Sequence, residues 1–269
     1  EPKVTLIHID NTPGRIGKTE PTRIGIISHC GRALEELVRI VEPKLSPIMK
    51  TNIKKRRRYV KSEVVKLRND FDNLVKKNWD NVPMAPERMM YELAKALPYD
   101  AIVVDDSFSH RSALRRCVGG ARRGDIRGVR GQSIGGGIGA TMGTQCANPD
   151  RVVIGVIGDG SAMMTIQGLW TAANDNIPCI FVICNNGMYR ILKVNFDIYK
   201  RQILKDINFT QGNLPYSDFQ LPFNLASIAT SMGIHGERIV DPNEIKPAIE
   251  RAISSRKPTL LDMIIDGSL

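Results

Sequence analysis

The sequence predicts an α/β protein built on a doubly wound, mostly parallel β-sheet, together with a partial second α/β domain. From residue 86 onward, short apolar runs alternate with segments of helical spacing, which is the pattern of successive β–α–β units. The runs Val152–Ile157 and Cys179–Cys184 lack polar side chains, as is typical of parallel strands that helices cover on both faces. The chain has 269 residues, of which 42% are hydrophobic and 25% charged, so its composition is that of an ordinary globular protein.

The first part of the chain, residues 1–47, is predicted to be the C-terminal remnant of a smaller α/β domain. Residues 4–9 and 24–28 form apolar runs that predict short buried strands, and residues 32–41 have helical spacing. Pro43 and Pro47 then interrupt the helical pattern. A β–β–α segment of this size is too small to bury a core by itself. The apolar side chains expected on one face of its helix are Leu34, Leu37, Val38 and Val41.

Residues 48–85 are predicted to form a basic linker that includes an exposed helix. The run Lys54–Arg58 consists of five consecutive cations. Residues 1–130 hold 27 Lys and Arg against 16 Asp and Glu, so they carry the whole excess behind the formal charge of +10. A solvated helix face accounts for this run, and nucleic-acid binding is the open alternative. No zinc finger, RNA-recognition signature or aromatic-interleaved basic groove accompanies the run, so we expect no nucleic-acid partner.

Residues 86–269 are predicted to form one complete domain of alternating helices and strands. Pro86 is expected to open a helix that runs to about Leu97. A Gly/Arg-rich loop is expected before a helix of small residues, and Trp170 is assigned to the core because it shares helical spacing with Ile166 and Ala173. After the first helix, the elements are predicted at 101–105 (strand), 109–117 (helix), 134–146 (helix), 152–157 (strand), 163–174 (helix), 179–184 (strand), 224–232 (helix), 236–240 (strand), 243–254 (helix) and 259–265 (strand).

Several protein classes are excluded or disfavoured by the sequence. No apolar run approaches the roughly 20 residues that span a bilayer, and the first ten residues lack the features of a signal peptide. For the lack of such an apolar run, we expect no membrane partner. The five cysteines are scattered and form no CxxC pair, which predicts reduced thiols in a cytoplasmic protein. Because Glu1 is not an initiator methionine, we expect the sequence to be part of a longer chain.

The clearest chemical motif consists of two polar turns that follow neighbouring strands. Gly158-Asp159-Gly160-Ser161 follows the strand 152–157, and Asn185-Asn186-Gly187 follows the strand 179–184. The two turns are one strand–helix–strand excursion apart, so they should meet at the carboxyl edge of the sheet, where α/β folds bind ligands. A glycine turn before a helix favours a phosphate, and carboxylate and amide oxygens are ligands that suit Mg²⁺. The sequence therefore predicts a magnesium–diphosphate site.

This arrangement resembles the thiamine diphosphate enzymes, whose signature is GDG, about two dozen further residues, and NN. The stretches GDGSAMMTIQGLWTAAND and NIPCIFVICNNGMYR are most similar to benzoylformate decarboxylase and to its 2-oxo acid decarboxylase and acetolactate synthase relatives. The resemblance covers residues 86–269, and HIDNTPGRIGK near the start is similar to the end of the central domain of these enzymes. It implies that the cofactors are thiamine diphosphate and Mg²⁺.

The resemblance also implies a role for each residue of the two turns. Asp159 and Asn186 match the side-chain ligands of Mg²⁺, and Met188 matches the position whose backbone carbonyl completes the protein's share. The loop that is expected to hold the diphosphate through its amides comprises Gly158, Gly160, Ser161 and Ala162.

Two further segments match cofactor contacts of the family. Ser109 and His110 follow a strand and match positions on the diphosphate side. Ser109 could simply cap a helix, a role compatible with cofactor contact, and the alternative for His110 is a plain exposed or helix-start histidine. Ile134 matches the residue that wedges beneath the cofactor, and Gln132 matches the position whose carbonyl meets the cofactor's amino group. Composition alone would assign Ile134 to the core. Gly139 departs from the family pattern, which often has proline at this position.

The implied activity is decarboxylation of a 2-oxo acid, as in benzoylformate decarboxylase. Acetolactate synthase-like carboligation and a non-catalytic cofactor-binding homologue are the alternatives, and FAD is expected only with the former. The activating glutamate of the family lies in a separate pyrimidine-binding domain, so no catalytic residue is expected in this chain. We expect that domain to be a missing N-terminal part or a partner subunit, and the complete enzyme to be a homodimer or tetramer. We expect this chain alone to be inactive.

Overall fold

The structure is a computed structural model that describes residues 4–118, 126–129, 131, 133–204 and 214–268. The predicted site residue Gln132 lies outside these described residues. The chain divides into two compact units, Glu1–Leu67 and Arg68–Leu269. Within the described part of the chain, no helix is both long and apolar enough to cross a membrane.

The first unit contains a two-stranded parallel sheet and one short helix, and a long helix begins in it. Ile7 of the first strand pairs with Ile24 of the second. None of the residues described in this unit is buried, so the predicted strands form without the burial expected of them. Two strands and a helix have too little apolar surface to enclose a core. The elements are β1 (Ile7–Asp10), β2 (Ile24–Ile27), α1 (Cys30–Val41) and α2 (Pro47–Lys77), and the boundary between the units falls inside α2.

The second unit is a six-stranded, fully parallel sheet with the strand order β4-β3-β5-β6-β8-β7. This result confirms the predicted α/β class and its parallel sheet. The strands are β3 (Ile102–Asp106), β4 (Ile126–Gly128), β5 (Val153–Gly158), β6 (Ile180–Asn185), β7 (His235–Ile239) and β8 (Thr259–Ile264). The helices are α3 (Pro86–Ala96), α4 (Arg111–Val118), α5 (Gly137–Ala147), α6 (Asp159–Met164), α7 (Gly168–Asn174), α8 (Arg190–Tyr199), α9 (Leu225–Ser231) and α10 (Ile245–Ser255).

Helices cover both faces of this sheet, and each strand sends alternate side chains to opposite faces. Val156 and Val182 pack on one face with residues of α3, α4 and α10. Ile157, Phe181 and Ile183 pack on the other face with residues of α5, α7 and α9. Burial on both faces explains why the strand sequences show no polar alternation.

The strand order reverses between β3 and β5. The chain proceeds from β3 to β4 on one side, and then crosses to β5 on the other side of β3. At the carboxyl edge, Asp106 of β3 lies opposite Ile157 of β5, and Gly158 of β5 lies opposite Cys184 of β6. Such a reversal leaves a crevice between the outgoing loops, which is where open α/β sheets bind ligands.

Three sequence predictions within this unit need correction. The helix expected over 163–174 is broken into α6 and α7, which are separated by Thr165–Gln167. Trp170 is 60% exposed, because the break changes the helical phase and α7 buries Leu169 and Ala172 instead. The short edge strand β4 lies where the sequence predicts only a loop. With three residues, it is too short to show a strand pattern in the sequence.

Candidate functional site

Nine of the eleven predicted site residues converge on one cleft at the carboxyl edge, where β3, β5 and β6 end. The cleft has a volume of about 510 Å³. Of the predicted site residues, it is lined by Ser109, His110, Ile134, Gly158, Asp159, Gly160, Ser161, Asn186 and Met188, while Ala162 lies fully buried behind it. Apolar side chains that also line the cleft are Phe108, Met164, Ile191 and Leu192.

Asp159 links the two polar turns. Its Oδ1 accepts a hydrogen bond from the amide of Gly160 (2.8 Å). Its Oδ2 accepts from the amides of Asn186 (3.1 Å) and Gly187 (2.7 Å), across 27 and 28 residues of sequence. The two polar turns are therefore adjacent, because parallel strands β5 and β6 end at the same edge.

The Asp159 carboxylate is almost fully buried, and burial raises its pKa to about 6 even though the three amide hydrogen bonds lower it. A carboxylate that is costly to ionise by itself is a good partner for a cation. Asn186 adds an amide oxygen, Oδ1, which accepts from the amide of Met188 (3.1 Å). Hard oxygen donors of this kind suit Mg²⁺.

A site made of protein carboxylates and imidazoles alone is not found in the described residues. No group of three or more His, Cys, Asp or Glu side chains that could hold a metal occurs in the part of the chain that the structure describes. One carboxylate and one amide are instead a partial ligand set, which fits a cation whose remaining ligands come from backbone, water or a bound phosphate.

Gly160 is packed closely by an aromatic pair. A Cβ at this position would lie 2.4 Å from Cε1 of Tyr189 and 3.2 Å from Cζ of Phe219. Tyr189 and Phe219 meet edge to face, with ring centroids 4.8 Å apart. The requirement for glycine, which the sequence attributes to a phosphate, is thus also a packing requirement of the protein itself.

The turn after β6 is braced by a segment that sequence reasoning missed. The amide of Tyr189 donates to the carbonyl of Ser217 (2.7 Å), and the amide of Phe219 donates to the carbonyl of Gly187 (2.8 Å). Lys193 of α8 forms an ion pair with Asp218 (2.5 Å). The irregular sequence around residues 214–219 carries no periodic signal, so only the tertiary structure reveals this contact.

His110 is buried at the wall of the cleft, which excludes the alternative of an exposed histidine. It ends a 3₁₀ turn, Phe108–His110, and Ser109 lies inside this turn, not in front of a helix. Within the described structure neither ring nitrogen of His110 has a hydrogen-bond partner. Burial, followed by the charge of Arg190, lowers the pKa of His110 to about 4, so the imidazole is neutral near pH 7.

Ile134 projects into the cleft and is 47% exposed, so it is not a core residue. The next residue, Gly135, has a φ of +92°, a conformation that favours glycine. A Cβ on Gly135 would lie 2.7 Å from Cβ of Met164. The turn that presents Ile134 is therefore held tightly against α6.

A second carboxylate, Asp106, lies at the end of β3 and was not identified from the sequence. It is fully buried, and its Oδ2 accepts from the hydroxyl of Ser161 (2.5 Å) and the amide of Gly137 (2.9 Å). Desolvation by burial raises its pKa. In the sequence, Asp106 is one of two adjacent aspartates after an apolar strand, and nothing distinguishes its role from that of Asp105.

Comparison with known proteins supplies a family and several relatives. Residues 128–263 match the family described as thiamine pyrophosphate enzyme, C-terminal TPP binding domain. A putative acetolactate synthase large subunit of Mycobacterium tuberculosis is 34% identical over 170 residues, which cover 63% of this chain and 32% of that protein. The benzoylformate decarboxylase of Pseudomonas aeruginosa is 30% identical over 181 residues, which cover 67% of this chain and 32% of that protein.

A solved structure shows a similar fold over nearly the whole chain. The thiamine diphosphate-dependent 4-hydroxybenzoylformate decarboxylase of Rhodococcus jostii RHA1 superposes with a TM-score of 0.74 at 23% identity. The match covers 98% of this chain but 44% of that protein. The present chain thus spans about a third of the length of the two curated relatives and less than half of the solved one.

Proposed function

Because this chain belongs to the thiamine pyrophosphate enzymes, whose C-terminal TPP-binding domain it contains, we propose that the cleft binds thiamine diphosphate through Mg²⁺ and serves a 2-oxo acid decarboxylase. The observation that carries the proposal is the buried Asp159 carboxylate, which bonds the turn bearing Asn186 beside the reversal of strand order between β3 and β5. We place the protein in the cytoplasm, in line with its unpaired cysteines.

The residues proposed to hold the cation and cofactor are those that line or border the cleft. Asp159 and Asn186 would bind Mg²⁺ through side-chain oxygens, and Met188 through its backbone carbonyl. The residues proposed to contact the cofactor are Ser109, His110, Gln132, Ile134, Gly158, Gly160, Ser161, Ala162 and Met188.

When bound, thiamine diphosphate supplies a carbon nucleophile and an electron sink for decarboxylation. The chain's own residues orient it and shield it. Asp159 anchors the cation, neutral His110 can offer an uncharged hydrogen-bond partner, and the apolar side chains Phe108 and Met164 exclude water. Ile134 lines the cleft from the turn that precedes α5.

We propose that turnover requires a second domain. No glutamate is found among the described residues that line the cleft, so the activating glutamate expected for this family would come from a pyrimidine-binding domain. That domain would be either a further part of the polypeptide or a partner subunit, in a homodimer or tetramer. The 2-oxo acid would bind between the two.

Acetolactate synthase-like carboligation is the second candidate. It is favoured by the relatives, since the names of several are those of acetolactate synthase large subunits, including one of Methanococcus aeolicus that is 27% identical over 98% of this chain. FAD would accompany only this activity. A non-catalytic cofactor-binding role remains the third reading, and turnover by the completed enzyme would exclude it.

Isothermal titration of the chain with thiamine diphosphate tests the binding proposal. We expect weak binding that requires Mg²⁺ and that the Asp159→Ala variant abolishes. Asp175→Ala is the matched control, because Asp175 is an exposed aspartate at the end of α7. Equal binding by wild type and Asp159→Ala would refute the assigned cation site.

An activity assay on the same preparation tests separately whether turnover requires a second domain. We expect no CO₂ release from pyruvate or benzoylformate by the chain alone, measured with saturating Mg²⁺ and cofactor. Robust release would overturn the need for a second domain, while leaving cofactor binding intact.

A further inference from the structure

We propose that Asp106 is a positioning residue: through Ser161 it holds the turn that presents Ile134 against the loop that carries Asp159. The inference deepens the proposed function and rests on it only where it concerns the cofactor. The arrangement of the turn itself is a property of the protein and can be tested without any ligand.

One oxygen of Asp106 joins three segments of the chain. Its Oδ2 accepts from the Ser161 hydroxyl at 2.5 Å, and Ser161 lies two residues after Asp159. The same oxygen accepts from the amide of Gly137 at 2.9 Å, and Gly137 begins α5 three residues after Ile134. The end of β3, the Ile134 turn and the Asp159 loop therefore share one acceptor.

Ser161 extends this link to the peptide next to Ile134. Its Oγ accepts from the amide of Gly135 (2.8 Å) while its hydroxyl hydrogen is donated to Asp106. The hydroxyl of Thr165 donates to the carbonyl of Gly135 (2.7 Å). Gly135 is thus held through both its amide and its carbonyl, so the turn has one favoured position.

The space around Asp106 is shaped to its carboxylate. A Cβ on Gly137 would lie 2.7 Å from Oδ2 of Asp106, so the absence of a side chain at 137 makes room for this oxygen. The other oxygen, Oδ1, is buried and has no hydrogen-bond partner within the described structure. A buried and half-paired carboxylate is an expensive way to stabilise a fold. Its use here is better explained by the geometry that it imposes on the two loops.

Residue-resolved amide hydrogen exchange by NMR on the cofactor-free chain tests the link. In Asp106→Ala, exchange at Gly137 and Gly135 should be about 10- to 100-fold faster than in wild type, the factor expected when a buried amide loses the hydrogen bonds that fix it. Asp106→Asn keeps an acceptor oxygen and should retain most of the protection. Gln145→Ala is the control, because Gln145 is buried in the same helix but bonds the carbonyls of Asn148 and Arg151 at its far end.

A second variant covers the case in which Asp106→Ala does not fold. Ser161→Ala removes the acceptor for Gly135 but leaves Asp106 bonded to Gly137, so exchange should accelerate at Gly135 and stay near wild type at Gly137. Exchange at Gly135 and Gly137 that is no faster in a folded Asp106→Ala chain than in the Gln145→Ala control would overturn the proposal, whatever Ser161→Ala does. If Asp106→Ala does not fold, exchange at Gly135 that is no faster in Ser161→Ala than in the control would overturn it.

Calorimetry with thiamine diphosphate and Mg²⁺ tests the consequence for the cofactor. Relative to wild type, Asp106→Ala should weaken Kd about tenfold or more, Asp106→Asn should recover most of the affinity, and Gln145→Ala should leave Kd unchanged. Equal affinity despite a loosened turn would overturn the positioning role. If wild type itself does not bind, the proposed function fails, and the exchange data alone decide whether the link exists.

Discussion

At the scale of single residues, two buried ionisable groups at the cleft respond to burial in opposite directions. Burial raises the pKa of Asp159 to about 6 and lowers the pKa of His110 to about 4. In both cases the neutral form is favoured, because a charge loses its hydration when the side chain is enclosed. Without a cation the cleft therefore holds less charge near pH 5 than its residue types suggest.

His110 makes the pH dependence of stability testable. Between about 4 and the usual value of 6.5, the unfolded chain binds more protons at this position than the folded chain, so stability falls as the pH is lowered through this range. We expect His110→Gln to remove this part of the decline, measured as the urea midpoint of the cofactor-free chain at pH 7 and pH 5.

Asp159 affects the pH dependence of stability with the opposite sign. Its raised pKa makes the folded state bind more protons than the unfolded chain between the usual value of 3.8 and about 6, so this contribution to stability rises as the pH is lowered. The comparison of His110→Gln with wild type cancels this contribution. His29→Gln serves as the control, since His29 is exposed. If the decline from pH 7 to pH 5 is the same in His110→Gln as in wild type, His110 is not buried as a neutral imidazole.

At the scale of secondary-structure elements, the close packing of α5 on β5 brings the Ile134 turn to the carboxyl edge of the sheet. Thr141 of α5 lies directly over Gly155 of β5, and a Cβ on Gly155 would lie 2.2 Å from its Oγ1. Thr141 also donates to the carbonyl of Gly137, so it cannot rotate away without losing that bond (2.7 Å). The glycine in the middle of an otherwise bulky strand is therefore explained by the helix that crosses it.

Gly155→Ala should lower the free energy of unfolding by about 1–3 kcal/mol, the usual cost of overpacking a filled core. Gly143→Ala is the matched control: Gly143 lies in α5, a Cβ there would meet nothing within 4 Å, and the change should stabilise by up to about 1 kcal/mol. Urea unfolding of both variants measures the difference. A Gly155→Ala chain as stable as Gly143→Ala would contradict this packing.

Helix α2 carries the basic run Lys54–Arg58. Five consecutive residues of a helix turn through more than a full circle, so Lys54–Arg58 surround the helix and do not form a single patch. This distribution agrees with the interpretation as a solvated helix, and the absence of a nucleic-acid partner stays a prediction.

At the scale of the whole molecule, the two units differ in how completely they bury their apolar residues. The second unit encloses its sheet on both faces, whereas the apolar face of α1 in the first unit is exposed, with Leu34 at 55% and Val38 at 62%. Exposed apolar faces of this kind are sites of association. The chain also spans about a third of its curated relatives.

We expect the purified chain to self-associate through this face, because the apolar side chains of α1 would then leave water. Sedimentation velocity at increasing protein concentration should show growth of the sedimentation coefficient in wild type. The double variant Leu34→Glu, Val38→Lys should stay closer to monomer, and the exposed control Asn195→Ala in the second unit should behave as wild type. Equal association by all three would exclude α1 as the contact.

The features that sequence alone could establish are those with a local cause. Strand and helix periodicity predict the class of the fold, and the two turns after neighbouring strands predict that Asp159 and Asn186 lie at the same edge of the sheet. Parallel strands end at the same edge, so this adjacency follows from element order. The GDG and NN motifs are also recognisable from sequence for a local reason, because each motif lies within a single loop.

Only the tertiary structure decided which polar groups are enclosed and what they contact. The burial of His110, the link from Asp106 to Ser161 and the bracing of Gly187 by Phe219 each join segments far apart in sequence. The predicted burial of Trp170 is wrong for a similar reason. Its exposure depends on the break between α6 and α7 and on the segments that pack against α7. Periodicity is a property of consecutive residues, whereas burial and hydrogen-bond partners arise only when distant segments pack together.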